Sequence, residues 1–296
     1  MDWDNLRVFL AVARAGQFVA AARRLKIDHA TVSRRIAALE EALGAKLFER
    51  RTSGATPTEA GRRLVVHAER MESDLLLAQG ELGEGEIEMS GDVRIGAPDG
   101  FSTYWLAGAL ADFLARHPGV RLQLSPMPLA PALARREIDV AIVLEKPDAG
   151  RFVARKLTDY SLGIYGAADY LAREGAPADA AGLARHRLVG YVGDLAYSPA
   201  LGYVRELFGG APTRLECASA VTQVEAVRAG AGLGVVHDFI ARRFPDLVRV
   251  LPARAATRTY WILTHEDTRG IGRIRAAHDA LVDKVREDRA TFVAAP

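Results

Sequence analysis

The chain has 296 residues, of which 49% are apolar and 26% charged, and its formal net charge is +2. This length suits two or three compact domains with sizeable cores, and no apolar run is long enough to predict a membrane span. The start is acidic and leads directly into a helical pattern, so no signal peptide is expected. The single cysteine, Cys217, excludes an internal disulfide and favours a cytoplasmic location.

Two helices are predicted before residue 26. The first covers residues 2–15, where Leu6, Phe9, Leu10 and Ala13 share one face. The second covers residues 18–25 and is followed by a turn at Lys26 and Ile27. We expect both to pack against a third helix in a small three-helix core.

The third helix is the centre of the prediction. Asp28 suits an N-cap, because its carboxylate can accept the unpaired amides of the first turn. An apolar stripe then follows at Val32, Ile36, Leu39 and Leu43. Polar and basic residues occupy the first turn and the other face: His29, Thr31, Ser33, Arg34 and Arg35. Two short helices joined by a tight turn, the second basic at its start, predict a helix-turn-helix. On charge alone, its basic face fits a solvated surface as well as a surface that contacts DNA.

A hairpin wing is predicted after this helix. Gly44 ends the helix, and Leu47 and Phe48 provide an apolar anchor before Arg50 and Arg51. Residues 52–55 form the tip and residues 56–58 return from it. The two arginines are expected to contact phosphate or the adjacent minor groove.

A long helix is predicted from about residue 58, and the spacing of Thr56 and Glu59 suggests a capping box. An apolar seam with coiled-coil spacing consists of Leu64, Ala68, Met71, Leu75, Ala78 and Leu82. The simplest partner for this seam is a second chain; the alternative is packing onto the other domain of the same chain. Residues 83–86 are rich in glycine and read as a hinge.

Strands and helices alternate after residue 90, which indicates an α/β domain with a largely parallel sheet. Predicted strands cover residues 93–96, 120–124, 138–143, 162–165, 187–191, 214–218, 233–236 and 259–264. Predicted helices cover residues 103–117, 129–136, 168–173, 201–208, 221–229 and 271–286. The strands at 162–165 and 259–264 are expected to cross between two lobes.

No catalytic residues, metal site or cofactor are predicted. The glycines from Gly230 to Gly234 end a helix and enter a strand, whereas a dinucleotide loop follows a strand and opens a helix. The seven histidines are scattered without metal-ligand spacing, and no nucleophile-elbow motif occurs.

A small effector is expected between the lobes, where loops follow the strand ends. Ser102 is predicted to cap the helix that follows it, and each candidate side chain has capping or packing as an equal alternative. The candidates are Pro98, Asp99, Gly100, Phe101, Ser102, Thr103, Leu144, Glu145, Tyr191, Ser219, Ala220, Val221, Thr222 and His265. Asp99, Phe101 and Glu145 argue against a plainly anion-receptive pocket.

Six short motifs follow one another between residues 21 and 61. They are Ala21-Ala22-Arg23-Arg24-Leu25, Val32-Ser33-Arg34, Ala38-Leu39-Glu40, Leu43-Gly44, Leu47-Phe48-Glu49-Arg50 and Thr58-Glu59-Ala60-Gly61. In this order and spacing the chain resembles the LysR-type transcriptional regulators. Looser matches at residues 136–142 and 229–235 extend the resemblance into the second half. Many family members have Ser-Gln-Pro or Ser-Gln-Ser where this chain has Asp28-His29-Ala30. The resemblance therefore does not indicate which base His29 contacts.

The resemblance implies an α/β fold with an N-terminal winged helix-turn-helix (residues 1–58), a linker and dimerisation helix with hinge (59–89) and a two-lobed, type 2 periplasmic-binding-protein-like effector domain (90–296). The expected DNA-binding residues are Gln17, Asp28, His29, Ala30, Thr31, Ser33, Arg34, Arg35, Arg50, Arg51 and Thr52. The implied partners are double-stranded DNA, a small-molecule effector and further copies of the chain, as a homodimer or homotetramer. The rival hypothesis is a two-lobed binding protein or enzyme with an incidental helical N-terminus.

Overall fold

The computed structural model describes residues 2–51, 54–81, 89–126, 138–148 and 150–293. The chain divides into two compact units: the first contains the N-terminal residues up to Glu81 with residues 266–272, and the second contains most of the chain beyond residue 89. None of the helices in these ranges is long and apolar enough to cross a membrane.

Three helices form the head of the first unit: α1 (Trp3–Ala15), α2 (Phe18–Leu25) and α3 (His29–Leu43). Each apolar stripe faces one shared core, which includes Leu6, Phe9, Ala21, Val32, Ile36 and Leu39. Two tight turns separate the helices because Gly16 and Lys26 adopt left-handed backbone angles, with φ of 65° and 55°. The predicted three-helix core is confirmed.

The wing is an antiparallel hairpin of β1 (Phe48–Arg51) and β2 (Gly54–Pro57). Leu47 and Phe48 are buried in the head core and anchor it. The Ala55 amide donates to the Gly16 carbonyl at 2.7 Å, and a Cβ at Gly54 would lie 2.5 Å from that same carbonyl oxygen. Residue 54 is therefore a glycine because the return strand lies directly on the α1–α2 turn. The tip residues Thr52 and Ser53 lie outside the described ranges.

Helix α4 (Glu59–Glu81) follows the wing. Thr58 caps it: its hydroxyl accepts the Gly61 amide at 3.0 Å and donates to the Lys46 carbonyl at 2.6 Å. The predicted cap at Thr56 is wrong, because Thr56 pairs with Glu49 inside the wing hairpin. The hinge at residues 83–86 lies outside the described residues.

The second unit is a sheet with helices packed on it. Its strands are β3 (Gly91–Gly96), β4 (Val120–Ser125), β5 (Val140–Val143), β6 (Phe152–Ala167), β7 (Leu188–Tyr191), β8 (Leu215–Cys217), β9 (Leu233–His237) and β10 (Leu247–His265). The α-helices are α5 (Asp99–Phe101), α6 (Ala107–Ala109), α7 (Ala111–Arg116), α8 (Ala168–Glu174), α9 (Tyr203–Phe208), α10 (Ala220–Arg228), α11 (Asp238–Ala241), α12 (Gly272–Glu287) and α13 (Arg289–Phe292). Short 3-10 turns lie at Ala181–Arg185, Gly193–Leu195 and Pro199–Gly202.

The strand order is β4-β3-β5-β10-β6-β9-β7-β8. Strands β4, β3 and β5 are parallel to one another in the first lobe, and β9, β7 and β8 are parallel in the second. Every residue of β5 and β9 is buried, as expected for strands covered on both faces. The long strands β6 and β10 pair antiparallel and belong to both lobes, which confirms the predicted crossing strands.

The helical run after β3 differs most from the prediction. It begins at Asp99 rather than Thr103, includes a π-helical turn (Ser102–Leu106) and breaks at Leu110, where φ and ψ are −92° and 1°. The π turn brings in one extra residue per turn, a feature that apolar periodicity does not reveal. The helix predicted at residues 129–136 lies outside the described part of the chain, and the short helices α11 and α13 were not predicted.

Candidate functional site

The first candidate site is the exposed start of α3. Asp28 caps this helix as predicted, because one carboxylate oxygen accepts the Thr31 amide at 2.7 Å and the other accepts the Thr31 hydroxyl at 2.6 Å. The hydrogen bond from the Thr31 hydroxyl, followed by the backbone hydrogen bonds, lowers the pKa of Asp28. The cap fixes the N-terminal end of α3, and the hydrogen bond to Asp28 holds the Thr31 hydroxyl in place.

The predicted contact residues of α3 do not all point outward. His29, Ala30 and Arg34 are exposed, and so is Gln17 before α2. The Ser33 hydroxyl is buried and has no hydrogen-bond partner among the described residues. Arg35 lies 3.0 Å from Asp4 of α1 and keeps 30% of its side chain exposed, and their hydrogen bond lowers the pKa of Asp4. The freely presented face is therefore narrower than the sequence pattern suggests.

Glu40 connects α3 to the wing. One carboxylate oxygen accepts the Leu47 amide at 2.8 Å and the Phe48 amide at 3.4 Å, and the other accepts the Lys46 ammonium at 2.7 Å. Partial burial opposes the negative charge, but these hydrogen bonds outweigh it and hold the pKa of Glu40 below its usual value. The orientation of β1 is thus fixed by the same helix that carries Arg34. The side chains of Arg50 and Arg51 lie outside the described part, as does Thr52.

The head is also fixed to α4 by a bidentate ion pair. Arg14 of α1 donates to the two carboxylate oxygens of Glu72 at 3.3 and 2.7 Å. Leu64 and Ala68, at the start of the predicted seam, pack into the head core. Met71 and Leu75 remain 43% and 42% exposed. Ala78 is half-buried, and Leu82 lies outside the described residues.

The second candidate site lies where β3 and β8 end at the two lobes. The chain enters α5 at Asp99, whose carboxylate accepts the Gly100 amide at 2.8 Å. In the other lobe Ser219 caps α10, its hydroxyl accepting the Thr222 amide at 3.2 Å. The Ser219 hydroxyl donates to Asp99, and the Val221 amide lies 3.5 Å from the same carboxylate oxygen. One carboxylate of the first lobe is therefore bonded to the start of a helix in the second.

A small cavity lies beside this link, with a free volume of about 20 Å³, enough for about one water molecule. Seven predicted effector residues line it: Pro98, Asp99, Gly100, Phe101, Leu144, Tyr191 and Ala220. A Cβ at Gly100 would lie 3.2 Å from the Ala220 methyl, so this glycine permits the two walls to approach closely.

Other predicted effector residues lie elsewhere. Ser102 is buried inside the helical run, where its amide donates to the Pro98 carbonyl at 2.8 Å, so the prediction that it caps a helix is wrong. Thr103, Glu145 and Thr222 are exposed, and the buried His265 packs edge-on against Phe152. None of these five lines the cavity.

Six further residues line the cavity and were not predicted: Tyr160, Tyr197, Leu201, Tyr203, His237 and Tyr260. Tyr160 stacks on Tyr260 with ring centroids 4.1 Å apart, and it also stacks on His237 at 5.2 Å. The hydroxyls of Tyr160 and Tyr260 are buried without a hydrogen-bond partner in the described structure. The alternation of Tyr160, Leu162 and Ile164 along one strand is a signal that places Tyr160 on an inward face, but nothing local indicates the cavity.

Burial controls ionisation around the cavity. It lowers the pKa of His237 to about 4, so the imidazole is neutral near pH 7. Burial, together with the nearby Asp99 carboxylate, raises the pKa of Tyr191 and of Tyr203. The phenols therefore stay protonated and offer neutral hydroxyls. Among the described residues no set of three metal-ligating side chains is grouped as a metal site would require.

A braced and capped helix of a winged helix-turn-helix, in one chain with a two-lobed α/β domain, defines a DNA-binding regulator with a small-molecule sensor. Residues 3–62 match the family described as bacterial regulatory helix-turn-helix protein, lysR family, and residues 87–286 match the LysR substrate binding domain. The chain belongs to the LysR family of transcriptional regulators. It is a DNA-binding regulator with an effector-binding domain and not an enzyme.

Similar proteins support this assignment. The Mau operon transcriptional activator of Paracoccus denitrificans is 31% identical over 277 residues, which cover 91% of each chain. CrgA of Neisseria meningitidis serogroup C is 30% identical over 188 residues, 64% of this chain and 63% of CrgA.

Solved structures share the fold at lower identity. A full-length variant of OxyR from Pseudomonas aeruginosa superposes with a TM-score of 0.71 at 21% identity, covering 97% of this chain and 98% of OxyR. LysG from Corynebacterium glutamicum with bound effector Arg has a TM-score of 0.64 at 21% identity, covering 97% of this chain and 99% of LysG.

Proposed function

We propose that the first turns of α3 enter the major groove of an operator and that His29, Ala30 and Arg34 read its bases. The observation that carries this proposal is that these three side chains are exposed at the start of a helix fixed by the Asp28 cap and the Glu40 brace. Arg34 suits a guanine edge, because its guanidinium can donate two parallel hydrogen bonds. Gln17, Arg35 and the wing residues Arg50, Arg51 and Thr52 contact the phosphate backbone or the minor groove.

The base-reading role of Arg34 can be tested without knowing the operator. A duplex selected from a random-sequence DNA library by the full-length protein serves as the probe in a gel-shift titration. Arg34→Ala is expected to weaken binding by about ten- to a hundred-fold, with an unchanged circular dichroism spectrum. The matched control is Arg116→Ala, which removes another exposed arginine from α7. Equal affinity of the Arg34→Ala and wild-type proteins would remove Arg34 from the readout.

The chain functions as a homo-oligomer, with α4 as the dimer contact and a tetramer as the state on DNA. Exposed Met71 and Leu75 lie one turn apart on α4 and leave apolar surface uncovered. We expect the Met71→Glu/Leu75→Glu variant to have a smaller mass by light scattering, whereas His67→Glu, an exposed control on the same helix, should keep it. An undiminished oligomer would exclude this face of α4.

The residue boundaries follow from the same assignment: a DNA-binding domain at 1–58, a linker helix and hinge at 59–89 and an effector domain at 90–296. The effector binds between the lobes, next to Asp99 and the start of α10, and the protein acts in the cytoplasm. The bound Arg of LysG supports a small-molecule site in a domain of this fold. An effector changes DNA binding only if it prefers one arrangement of the regulator over another.

A further inference from the structure

The cavity between the two lobes carries a single formal charge. Of the described residues that line it, only Asp99 is acidic, and none is a lysine or arginine. His237 supplies no compensating positive charge, because burial lowers its pKa to about 4. An anionic ligand would therefore be brought beside a carboxylate without a cation to pair with, at a high desolvation cost.

The rest of the lining suits a cation. Tyrosine rings surround the space, and the faces of aromatic rings attract organic ammonium groups. Tyr160 and Tyr260 also present hydroxyls that are fully buried and unpartnered in the described structure. A buried hydroxyl without a partner is destabilising, and both oxygens can accept a hydrogen bond from an N–H donor.

The carboxylate also holds the two walls together. Asp99 accepts the Ser219 hydroxyl and lies 3.5 Å from the Val221 amide, at the start of α10. The free volume of about 20 Å³ is too small for an organic molecule. A ligand that pairs with Asp99 in this space therefore requires the walls to move apart, and the Ser219–Asp99 hydrogen bond is one of the contacts that join them. Binding thus has a direct structural consequence.

We propose that this cavity recognises a small organic ammonium ion, with Asp99 as its counter-ion and the tyrosines as its cage. The inference rests on the effector cleft of the proposed function and adds the chemical class of the ligand. Release of Ser219 from Asp99 is the step that couples this ligand to the separation of the lobes.

Charge-matched probes test the proposal on the full-length protein. n-Butylammonium, butyrate and butan-1-ol share a skeleton and differ in charge, and phenethylammonium and 3-phenylpropionate form an aromatic pair. Saturation-transfer NMR titrations at constant ionic strength give the dissociation constants. At least one ammonium probe is expected to bind about ten-fold more tightly than its carboxylate counterpart. A preference for the carboxylates, or no saturable binding of either ammonium ion, would overturn the proposal.

Three variants locate the site. Asp99→Asn is expected to weaken ammonium binding by about ten-fold, while the matched Asp112→Asn, which neutralises an exposed carboxylate of α7, leaves it unchanged. Tyr260→Phe keeps the ring and should weaken binding by about three-fold. Ser219→Ala removes the link without removing the charge, so ammonium binding should be retained or strengthened. Unchanged ammonium affinity in Asp99→Asn would overturn the proposal.

DNA binding separates this inference from the proposed function. If ammonium binding fails while the selected duplex is still retarded, the ligand class is wrong and the regulator assignment stands. If ammonium ions bind at Asp99 but the protein retards no duplex, the ligand class stands and the operator proposal fails.

Discussion

The DNA-binding head and the effector domain organise their candidate sites differently along the chain. In the head, His29, Ala30 and Arg34 lie within two turns of one helix, and their orientation depends on a cap at the preceding residue. In the effector domain, Asp99 and Ser219 meet although they are 120 positions apart. The first site requires one short helix to form, whereas the second requires the whole topology of the sheet.

This difference has a consequence for stability. In the head, the Asp28 cap is exposed to solvent and the Glu40 brace is only partly buried. The effector domain instead has a fully buried carboxylate, Asp238, which accepts hydrogen bonds from Ser161 and from Tyr165 at 2.6 Å and lies 3.4 Å from Arg249. Loss of a hydrogen-bond partner destabilises a protein most when the remaining polar group is buried. Substitutions of polar residues should therefore destabilise the effector domain more than the head.

The largest effect is expected for Asp238→Ala. The substitution leaves two hydroxyls and the Arg249 guanidinium without their shared acceptor, and we expect the free energy of unfolding of the effector domain to fall by about 4 kcal/mol. Hydrogen exchange followed by mass spectrometry on the full chain can measure it in β6 and β10. Head peptides, and the exposed-carboxylate control Asp148→Ala, should be unaffected. A loss below about 1 kcal/mol would show that the cluster does not stabilise the crossing strands.

The next effect depends on pH and also belongs to the effector domain. The pKa of His237 falls from 6.5 to about 4 on folding because of burial, so between these values the unfolded chain binds more protons than the folded chain. The contribution of neutral His237 to the free energy of unfolding is therefore fully present above about pH 6.5. It declines by about 3 kcal/mol as the pH falls toward 4.

His237→Phe isolates this contribution. Phenylalanine can keep the stacking on Tyr160 but does not titrate, so the decline in unfolding free energy between pH 6.5 and 4 should shrink by about 3 kcal/mol. Urea unfolding at several pH values measures it, with His117→Phe as a control at a partly exposed histidine. The same steep decline in His237→Phe and wild type would assign the acid sensitivity to other groups.

A smaller effect is expected in the head from Glu40→Gln. The amide keeps one acceptor for Leu47 but loses the negative charge that Lys46 and two backbone amides contact, and we expect the head to lose about 1.5 kcal/mol. Wild-type stability from this carboxylate is present above about pH 4.5, the unfolded pKa, and disappears as the pH falls through the lower folded value.

Glu41→Gln is the matched control for this brace, because Glu41 is exposed on the same helix. Hydrogen exchange in the wing strands should increase only in the Glu40 variant, and exchange in the effector domain should stay the same in both. Equal protection of the wing in the two variants would mean that Leu47 and Phe48 anchor it without the carboxylate.

The same contrast explains what the sequence could predict. The Asp28 cap, the stripe at Val32, Ile36 and Leu39 and the anchor at Leu47 and Phe48 all depend on neighbours close in the chain, so periodicity and capping rules identify them. The crossing strands were predicted too, because strand-and-helix alternation determines the topology. The Ser33 hydroxyl, by contrast, turns inward although its neighbour Arg34 is exposed, and position on a helix did not reveal this.

The cavity was predicted only in part for a similar reason. Tyr191 ends a strand, and Asp99 and Ala220 begin the helices that follow strand ends, so a rule about strand ends identifies them. Tyr160 and Tyr260 come from the two crossing strands, where Tyr160 pairs with Arg258 and Tyr260 with Thr158. The two tyrosines are therefore diagonal neighbours, and they meet only because these strands pair. Their roles depend on the pairing of two strands that are far apart in the sequence, and no local sequence pattern indicates this pairing.

The smallest effect is expected at the turn between α2 and α3, where the head departs from local preference. Lys26 has φ of 55°, a left-handed conformation that costs a residue with a Cβ about 1 kcal/mol. Lys26→Gly removes this strain but gives the unfolded chain more freedom, so the head should gain only about 0.5 kcal/mol. Lys26→Ala keeps the Cβ and should gain nothing, which separates backbone strain from loss of the lysine charge. Chemical denaturation of the head measured for all three proteins decides the point: equal stability of the glycine and alanine variants would mean that the turn is held by its contacts and not limited by its backbone angle.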